Sequence, residues 1–251
     1  MLPSPFFWHG EHLAIELAGA AALFTTRRGG ASAGPYASLN LGRWTEDDPA
    51  AVERNRVGVE RAIGARFAYG RQVHGSDVRA VHGLPAAGSP PPEIDGLLTR
   101  LPGVAPMVLT ADCLPIAVAG GGAAGMLHAG WRGLAAGIVA RGVAVLRELG
   151  GAEAPVTAAI GPGAGPCCYR VSEAIHDRFT QRQADIRRGE NLDLKAIARL
   201  ELERAGVAEI HDSGLCTICS DPSLFFSHRR EHGVTGRQAG IAWVRTGGRR
   251  G

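Results

Sequence analysis

Three residues that can bind soft metals stand in three separate glycine-flanked turns of this 251-residue chain. They are His74 in RQVHGSD, Cys113 in TADCLPI and His128 in LHAGWRG. Zinc fingers and knuckles take their ligands in local pairs a few residues apart, so these three residues can meet only if a folded sheet brings their turns together. A structural zinc takes four protein ligands and a catalytic zinc takes three. Two imidazoles and one thiolate therefore predict an open, reactive site.

The composition is typical of a soluble globular protein and argues against a nucleic-acid partner. Hydrophobic residues make up 45% of the chain and charged residues 20%, and a chain of this length can bury a large core. The net charge is +3, but most charged stretches mix both signs and form no basic stripe with aromatic residues. We predict a single domain over residues 1–251.

The N-terminus and the cysteines predict a cytoplasmic protein without a membrane partner. The apolar stretch over residues 13–24 is interrupted by Glu16 and follows no cationic segment, so it does not match an export signal. No segment approaches the roughly 18 apolar residues of a membrane helix. Five cysteines are an odd number, which favours reduced thiols over a disulfide framework.

Apolar patterns along the chain predict strands and helices in mixed order. LAIELAG and ALFTTR predict an opening strand pair, GVAPMVLTADCLPIAVAG predicts two strands with a break, and residues 83–96 predict a surface loop. Because several strands follow one another directly, we predict an α/β fold with mixed sheets. GLAAGIVARGVAVLRELG predicts one amphipathic helix. Its predicted apolar face contains Leu134, Ile138, Val145 and Leu149.

His128 and Cys113 each have a structural interpretation as well as a functional one. His128 is predicted at the carboxyl end of a strand, just before a helix, where α/β proteins bind ligands and anions. A lone histidine there can equally be a hydrogen-bonded core residue, and a cysteine in an apolar run is often a small buried hydrophobe. Asp112 would raise the pKa of the neighbouring thiol, so a Cys113 thiolate requires a metal or an imidazolium nearby.

Several polar side chains in glycine-rich turns are candidates for binding a substrate or phosphate. Guanidinium groups suit phosphate and carboxylate oxygens, although solvated loop charges are the simpler interpretation. The candidates are Arg27, Asn40, Arg71, Gln72, Arg132, Arg229 and Arg237.

The other four cysteines form an adjacent pair and one CxxC motif. The pair, Cys167 and Cys168, lies in IGPGAGPCCYRV, which lacks the GKS/T of a phosphate-binding P-loop. Cys216 and Cys219 form the motif CTIC. Because adjacent cysteines are poorly spaced for ligands of one ion, we expect Cys167 and Cys168 to have a structural role and disfavour a four-cysteine zinc site.

The order of the motifs resembles one protein family over most of the chain. FTTRRGG, SLNLG, RQVHGSDV, DGLLT, TADCLPI, LHAGWRG, IGPGAGPCCYRV and FFSHRREHGVTGRQAG occur in that order. From about residue 24 to residue 243 the chain resembles bacterial laccase-domain proteins, which are also called polyphenol oxidases, peptidoglycan editing factors or multifunctional purine nucleoside phosphorylases. Two positions depart from the family pattern: Arg170 stands where Glu is usual, and Ala164 where a large aliphatic residue is usual.

The resemblance implies a fold, a metal site and two activities. The fold is an α/β/β/α arrangement shared with the catalytic domains of certain cysteine-dependent toxins. The metal is zinc, with copper as the alternative, on His74, Cys113 and His128. The main activity is phosphorolysis of adenosine, inosine, guanosine and methylthioadenosine to free base and ribose 1-phosphate. The second is adenosine deamination at the zinc. We expect a monomer with small-molecule substrates.

The chemistry of these reactions assigns further candidate roles. Phosphorolysis needs a bound phosphate and a stabilised leaving purine, for which the arginines and Asp112, Asn40 or Gln72 are candidates. Deamination needs an activated water, which zinc can supply. The H-x-E and P-C-x-x-C signature of zinc deaminases is missing, so deamination would need a different proton carrier, for which Asp77 and Asp112 are candidates. We therefore count Asp112 with the three metal-binding residues as catalytic.

Three other functions compete with this hypothesis. A metal-independent cysteine hydrolase would use Cys113 activated by His128 to cleave an amide or acyl bond, for example in a peptidoglycan precursor. A copper polyphenol oxidase is disfavoured, because four coppers need many histidines and this chain has nine, none in an H-x-H pair. A non-catalytic binding module would need no reactive triad.

Overall fold

The computed structural model describes residues 2–84, 88–182 and 185–245. Its strands are β1 (Phe7–His9), β2 (His12–Leu17), β3 (Ala20–Phe24), β4 (Arg66–Ala68), β5 (Val78–Val81), β6 (Gly96–Thr99), β7 (Val104–Thr110), β8 (Leu114–Gly120), β9 (Ala123–Ala129), β10 (Thr157–Ile160), β11 (Arg187–Arg188), β12 (Asn191–Leu192), β13 (Glu209–Asp212) and β14 (Gln238–Val244). Its α-helices are α1 (Pro49–Ile63), α2 (Trp131–Ala135), α3 (Ile138–Gly150), α4 (Glu173–His176) and α5 (Leu194–Arg204).

Two six-stranded sheets form the centre of the protein. The first has the strand order β1-β2-β3-β14-β7-β4, and the second has the order β13-β10-β8-β9-β6-β5. Neighbouring strands are antiparallel except β4 with β7, β10 with β13, and β5 with β6. The predicted α/β class with mixed sheets and the predicted opening strand pair, β2 with β3, are therefore confirmed.

The sheets face each other, and helices cover their outer faces. Alternating side chains of a strand point to opposite faces. In β9, Met126 belongs to the apolar cluster between the sheets that includes Phe24 of β3, while the next residue, Leu127, belongs to the outer cluster that includes Val143 of α3 and Ile197 of α5. On the outer face of the first sheet, residues of α1 join a separate apolar cluster. Each large side chain buried in this way stabilises the fold by about 1.5–3 kcal/mol.

The helix that follows β9 differs from the prediction. The sequence predicted one continuous helix, whereas the chain forms α2 and α3 with a break at Gly137, whose φ of 84° is left-handed. Leu134 of α2 and Ile138 of α3 are buried as predicted, but the rest of the buried face of α3 is shifted from the predicted one. Val143 and Leu146 are buried, whereas the predicted face residues Val145 and Leu149 are only partly buried.

Helix α1 fixes a loop that leads to the functional site. Asp48 caps its first turn by accepting hydrogen bonds from two backbone N–H groups, and Gly64 ends it with a left-handed φ of 65°. From this helix the buried Asn55 donates to the backbone carbonyl of Asn40 at 2.9 Å. Asn40 Oδ1 in turn accepts the backbone N–H of Arg237 at 2.8 Å.

Two further predictions concern loops and membranes. Residues 88–95 contain no helix or strand beyond a β-bridge between Arg71 and Glu93, in agreement with the predicted loop, while residues 85–87 lie outside the described residues. None of the described helices is both long enough and apolar enough to cross a bilayer. The single domain stays a prediction.

Candidate active site

The three predicted metal-binding residues converge at one end of the second sheet. Strands β8 and β9 pair antiparallel with Leu114 opposite Ala129, which places the turn containing Cys113 beside His128. The ligand atoms of His74, Cys113 and His128 all lie within 4.8 Å of one another. The imidazole ring centroids are 4.8 Å apart at an interplanar angle of 74°. The prediction that these residues meet is confirmed; we call them the His/Cys/His cluster.

A buried carboxylate, Asp95, bonds to the side chain of His128 and to the backbone of His74. Its Oδ1 lies 2.8 Å from His128 Nδ1 and accepts the backbone N–H of His74 at 3.0 Å. Its Oδ2 accepts the N–H groups of Val73 at 3.2 Å and Gly75 at 2.7 Å. Three successive N–H groups thus form an anion-binding nest around one carboxylate. With Nδ1 bound to Asp95, the other nitrogen of His128 is left to face the cluster.

The charges within the cluster support a thiolate. Burial raises the pKa of Cys113, whereas the charge of His128 and hydrogen bonds from His128 and His74 lower it to about 6. Burial lowers the pKa of His128, but the Cys113 thiolate and Asp95 raise it to about 9. Without a metal, Cys113 and His128 therefore form a thiolate–imidazolium pair near neutral pH.

The donor set and the space around it fit a zinc ion. Two imidazoles and one thiolate match the three protein ligands of an open zinc site, and Asp95 supplies the hydrogen bond that usually orients a metal-binding histidine. A Cβ atom at Gly130 would lie 2.9 Å from Cys113 Sγ and 3.5 Å from His74 Cδ2. A residue without a side chain therefore keeps one approach to the cluster open.

The cluster lies in a cavity of about 440 Å³ that contains aromatic and basic side chains. The aromatic residues are Trp44, Trp131 and Tyr169, the arginines are Arg132, Arg229 and Arg237, and His228 also lines the cavity. Burial and the nearby Cys113 charge raise the pKa of Tyr169 to about 12, so its phenol stays neutral and can donate a hydrogen bond. A cavity with flat ring surfaces and three guanidinium groups suits a planar ligand together with an anion.

Two of the cavity arginines are held by aromatic stacking. The Arg132 guanidinium lies 4.4 Å from the ring centroid of Trp131, and the Arg229 guanidinium 5.2 Å from that of Tyr169. Arg229 also donates to the backbone carbonyl of Arg170 at 2.8 Å. These contacts limit the freedom of the two side chains before any ligand binds.

Asp112 lines the cavity, but both of its carboxylate oxygens already accept hydrogen bonds. The Thr217 hydroxyl donates to Oδ1 at 2.7 Å, and the Arg229 backbone N–H donates to Oδ2 at 2.7 Å. The backbone of Asp112 is left-handed, with φ 93°. The residue therefore connects the Cys113 turn to two distant loops, which suits positioning better than proton transfer.

Three predicted binding residues lie outside the cavity, and one lines it with its amide engaged. Arg27 bonds to Glu231 at 2.7 Å and stacks on Phe226, and it thereby connects two loops. Arg71 is exposed and pairs with Glu93, and Asn40 is fully buried in the loop that holds Arg237. The predictions that Arg27, Arg71 and Asn40 contact substrate are therefore not supported. Gln72 lines the cavity, but its amide bonds to both backbone groups of Leu109 at 2.8 Å.

The two departures from the family pattern have simple environments. Arg170 is exposed and pairs with Glu190 at 2.8 Å, and its side chain is not part of the cavity lining. Ala164 is fully buried in the apolar cluster that includes α3 and α5, so the smaller side chain is a matter of packing.

The other four cysteines also converge, contrary to the prediction. The sulfur atoms of Cys167, Cys168, Cys216 and Cys219 all lie within 4.8 Å of one another. The adjacent cysteines both reach the cluster because they lie in a tight turn in which the N–H groups of Cys168 and Tyr169 donate to the Gly165 carbonyl. We call this group the four-cysteine cluster.

Comparison with known proteins identifies the class to which this fold and this site belong. The family described as multi-copper polyphenol oxidoreductase laccase matches residues 21–245. A purine nucleoside phosphorylase of Xylella fastidiosa is 40% identical over 246 residues, which cover 90% of this chain and 93% of that protein. The purine nucleoside phosphorylase YlmD of Geobacillus stearothermophilus is 38% identical over 247 residues, with coverage of 89% and 90%.

Solved structures agree with this relationship. YfiH of Bacillus licheniformis superposes with a TM-score of 0.88 at 33% identity and covers 97% of this chain and 100% of its own. The crystal structure of Geobacillus stearothermophilus YlmD gives a TM-score of 0.81 at 37% identity, with coverage of 91% and 93%. The chain belongs to the laccase-domain family, which confirms the resemblance inferred from its motifs.

Proposed function

We propose that this protein is a purine nucleoside phosphorylase that releases a free base and ribose 1-phosphate. The proposal is supported by relatives named for this activity and by one structural observation. That observation is the cavity that combines the His/Cys/His cluster, three arginines and three aromatic rings. Adenosine, inosine, guanosine and methylthioadenosine are the proposed substrates.

Phosphate would bind among the arginines. Arg132, Arg229 and Arg237 present fixed positive charge to the cavity, and phosphate oxygens accept hydrogen bonds from guanidinium groups in pairs. A nucleophilic phosphate must approach C1′ while positive charge develops on the ribose. Prepositioned guanidinium groups orient the dianion for that attack at little reorganisation cost.

The purine would lie against the aromatic side chains. Trp44, Trp131 and Tyr169 offer flat apolar surfaces, and the cavity volume of about 440 Å³ lies within the range usual for small-molecule sites. The neutral Tyr169 phenol can donate a hydrogen bond to a base nitrogen that gains electrons as the glycosidic bond breaks. Asp112 then acts as a positioning residue that fixes the loops of Thr217 and Arg229.

His74, Cys113 and His128 would hold a zinc ion, with copper as the alternative. The bound metal would supply Lewis acidity toward a water molecule or a substrate atom. Asp95 keeps His128 in the tautomer whose second nitrogen faces the cluster. Adenosine deaminase activity at this site is part of the proposal. Asp77 is exposed and pairs with Arg141, so it is a poor candidate for the proton carrier.

A cysteine hydrolase remains the second candidate because of one specific observation. The Cys113–His128 pair has the charge state of an activated nucleophile and its imidazolium, and Asp95 occupies the place of the third, orienting group. The layer order, helix α1, two sheets, then α3 and α5, supports an α/β/β/α description and the likeness to cysteine-dependent toxin domains. An amide in a peptidoglycan precursor is the corresponding substrate.

A copper polyphenol oxidase has less support. Within the described ranges, the two groups able to hold a metal are the His/Cys/His cluster and the four-cysteine cluster. Only the first contains histidine, which leaves too few imidazoles for a multicopper centre.

A nucleoside panel with and without phosphate tests the proposal. Ribose 1-phosphate and free base formed only with phosphate would support the phosphorylase. Inosine from adenosine without phosphate would support deamination. Release of neither product from any of the four nucleosides would contradict the proposal and favour the hydrolase, which an amide substrate panel then tests.

Variants connect the activity to the site. We expect Cys113→Ala and His128→Ala to remove phosphorolysis while the proteins stay folded by circular dichroism. His82→Ala, at an exposed histidine outside the cavity, is the matched control and should keep wild-type activity. Full turnover by purified Cys113→Ala and His128→Ala would refute the assignment of the site.

A further inference from the structure

The four-cysteine cluster joins two loops that border the cavity. Cys167 and Cys168 lie in the loop after β10, and Cys216 and Cys219 in the loop after β13. Cys167 Sγ lies 3.4 Å from Cys219 Sγ and 3.5 Å from Cys168 Sγ, and all four sulfur atoms lie within 4.8 Å of one another. Two thiols from each of the two loops thus face a common point.

The spacing of the sulfur atoms suits a tetrahedral metal. Four Zn–S bonds of about 2.3 Å place the sulfurs roughly 3.8 Å apart, so shifts of about 1 Å or less would complete the geometry. Thiolates are soft ligands, and a tetrahedral set of four selects zinc or iron among the common metals. The cluster offers no imidazole, carboxylate or water position to complete an open site.

The surroundings stabilise negative charge on one of the four sulfurs, that of Cys216. The Gly165 N–H donates to Cys216 Sγ at 3.3 Å, and the N–H groups of Ile218 and Cys219 also point at this sulfur. The Arg230 guanidinium donates to the backbone carbonyls of Thr217 at 2.6 Å and Ile218 at 3.2 Å. Four thiolates and one divalent cation carry two net negative charges. The hydrogen bonds to Cys216 offset them in part.

We propose that Cys167, Cys168, Cys216 and Cys219 form a second metal site, which binds one zinc ion as a closed structural centre. All four coordination positions are filled by protein sulfur, so this zinc has no place for water or substrate. The site is separate from the His/Cys/His cluster in both its ligands and its role. Its existence does not depend on the nucleoside activity.

Backbone hydrogen bonds around the four-cysteine cluster show which parts of the protein this zinc would hold together. The Ala164 N–H donates to the Asp112 carbonyl at 2.7 Å, and the Thr217 N–H donates to the Gly163 carbonyl at 3.1 Å. Tyr169, next to Cys168, lines the cavity. The zinc therefore fixes the cavity wall formed by the loops after β10 and β13.

Elemental analysis of untagged protein tests the assignment. We expect about two zinc per wild-type chain, one in Cys113→Ala, one in Cys167→Ser/Cys219→Ser, and none when these three substitutions are combined. Cys113→Ala protein that is folded and free of zinc would overturn the proposal. So would iron in place of zinc, or a Cys167–Cys219 disulfide found by non-reducing mass spectrometry of freshly purified wild type.

Cobalt replacement covers the case in which the double serine variant does not fold. In Cys113→Ala the four cysteines are intact, and Co²⁺ added to the metal-free protein under reducing conditions is the probe. We expect one equivalent to produce the sulfur-to-cobalt charge-transfer and tetrahedral ligand-field bands of a four-thiolate centre. One equivalent of Zn²⁺ should then abolish them. A folded protein that gives no such bands would refute the site.

Discussion

The two sulfur-containing clusters differ in how their ligands are held and in what they leave open. In the His/Cys/His cluster, a buried carboxylate orients the His128 imidazole and holds the backbone of His74, and the third ligand is a half-buried thiol at the wall of the cavity. In the four-cysteine cluster, four thiols face one another, and backbone N–H groups point at one of the sulfurs. The first arrangement suits chemistry on a ligand. The second suits a closed link between two loops.

This difference shows how one protein can tune cysteines in opposite directions. Cys113 faces two histidines, and their hydrogen bonds and charge outweigh its burial. Cys168 faces other sulfurs, and burial together with the Cys219 hydrogen bond raises its pKa to about 11. The neighbouring groups, and not burial alone, therefore decide which thiol is ionised.

Thiol alkylation of metal-free protein is the strongest test of this contrast. At pH 7, pKa values of about 6 for Cys113 and about 11 for Cys168 give a thiolate ratio near 10⁴, which the lower nucleophilicity of the Cys113 thiolate reduces to roughly 100-fold in rate. Peptide mass spectrometry after iodoacetamide pulses measures both rates. Below pH about 6 the Cys113 rate should fall about tenfold per pH unit, because the thiol becomes protonated.

Substitution of His128 provides the control for the alkylation experiment. In His128→Ala the charge that lowers the Cys113 pKa is gone. The pH at which the Cys113 alkylation rate increases should therefore be higher than in the wild type. Equal rates for Cys113 and Cys168 at pH 7 in metal-free wild type would show that the two environments do not differ as described.

Asp95→Asn should weaken the first cluster and leave the second intact. The side-chain amide nitrogen of the variant would face backbone N–H groups that now donate to the carboxylate. Both histidine turns would therefore lose their anchor. Outer hydrogen-bond partners of this kind contribute about 10–100-fold to metal affinity. An unmet buried N–H costs about 1–3 kcal/mol of folding free energy. Competition with a chromophoric chelator measures zinc affinity, and urea unfolding measures stability.

Asp77→Asn is the matched control, because Asp77 is exposed and pairs only weakly with Arg141 at 3.4 Å. It should change neither zinc affinity nor stability measurably. Unchanged zinc affinity in Asp95→Asn would show that the carboxylate does not organise the cluster, and loss of both zinc ions would show that the two clusters are not separate.

Arg132→Gln should raise the KM for phosphate about tenfold, since a charged hydrogen bond contributes about 1.5 kcal/mol. In the described part of the chain the Arg132 guanidinium stacks on Trp131 and donates no hydrogen bond, which leaves its donors for an anion. Steady-state phosphorolysis at varied phosphate measures the effect. Arg71→Gln, at an exposed arginine outside the cavity, should leave KM unchanged. Equal KM values for phosphate in both variants would show that Arg132 does not bind phosphate.

The sequence predicted the parts of the site that depend on local pattern and residue chemistry. His74, Cys113 and His128 stand in glycine-flanked turns, and their ligand types indicate a metal, so their convergence could be inferred. Asp95 was missed, because nothing near it in the chain signals that three N–H groups from residues 73–75 will surround it. Its position directly before β6, at the end of a proline-rich loop, was the available signal.

The convergence of the four cysteines was not expected from the sequence, for a related reason. Adjacent cysteines usually point apart, and only the tight turn closed on the Gly165 carbonyl brings Cys167 and Cys168 to one side. Arg27 and Asn40 show the opposite case, because they were predicted to bind substrate and lie outside the cavity. Their chemistry fits a ligand, but tertiary contacts with Glu231 and with the Arg237 loop occupy them. The type of a residue indicated which chemistry it could perform, but the sequence did not show which distant residue it would pair with.

The smallest effect should come from Thr217, which connects the two clusters. It lies in CTIC beside Cys216, and its hydroxyl donates to Asp112, the neighbour of Cys113. Thr217→Val keeps the shape and removes this bond to a charged group, which should lower the free energy of unfolding by about 1.5–3 kcal/mol. We expect kcat to fall only a few-fold, because Asp112 keeps its hydrogen bond from the Arg229 backbone N–H.

Thr157→Val is the matched control, since Thr157 is a buried threonine of β10 whose hydroxyl makes only long contacts of 3.4 and 3.5 Å. It should preserve kcat. A double-mutant cycle between Thr217→Val and Cys167→Ser/Cys219→Ser then measures the coupling, which is expected because both changes loosen the same wall. If the effects on kcat are strictly additive, the four-cysteine cluster does not act on the cavity through Thr217, and its role is confined to holding its own two loops.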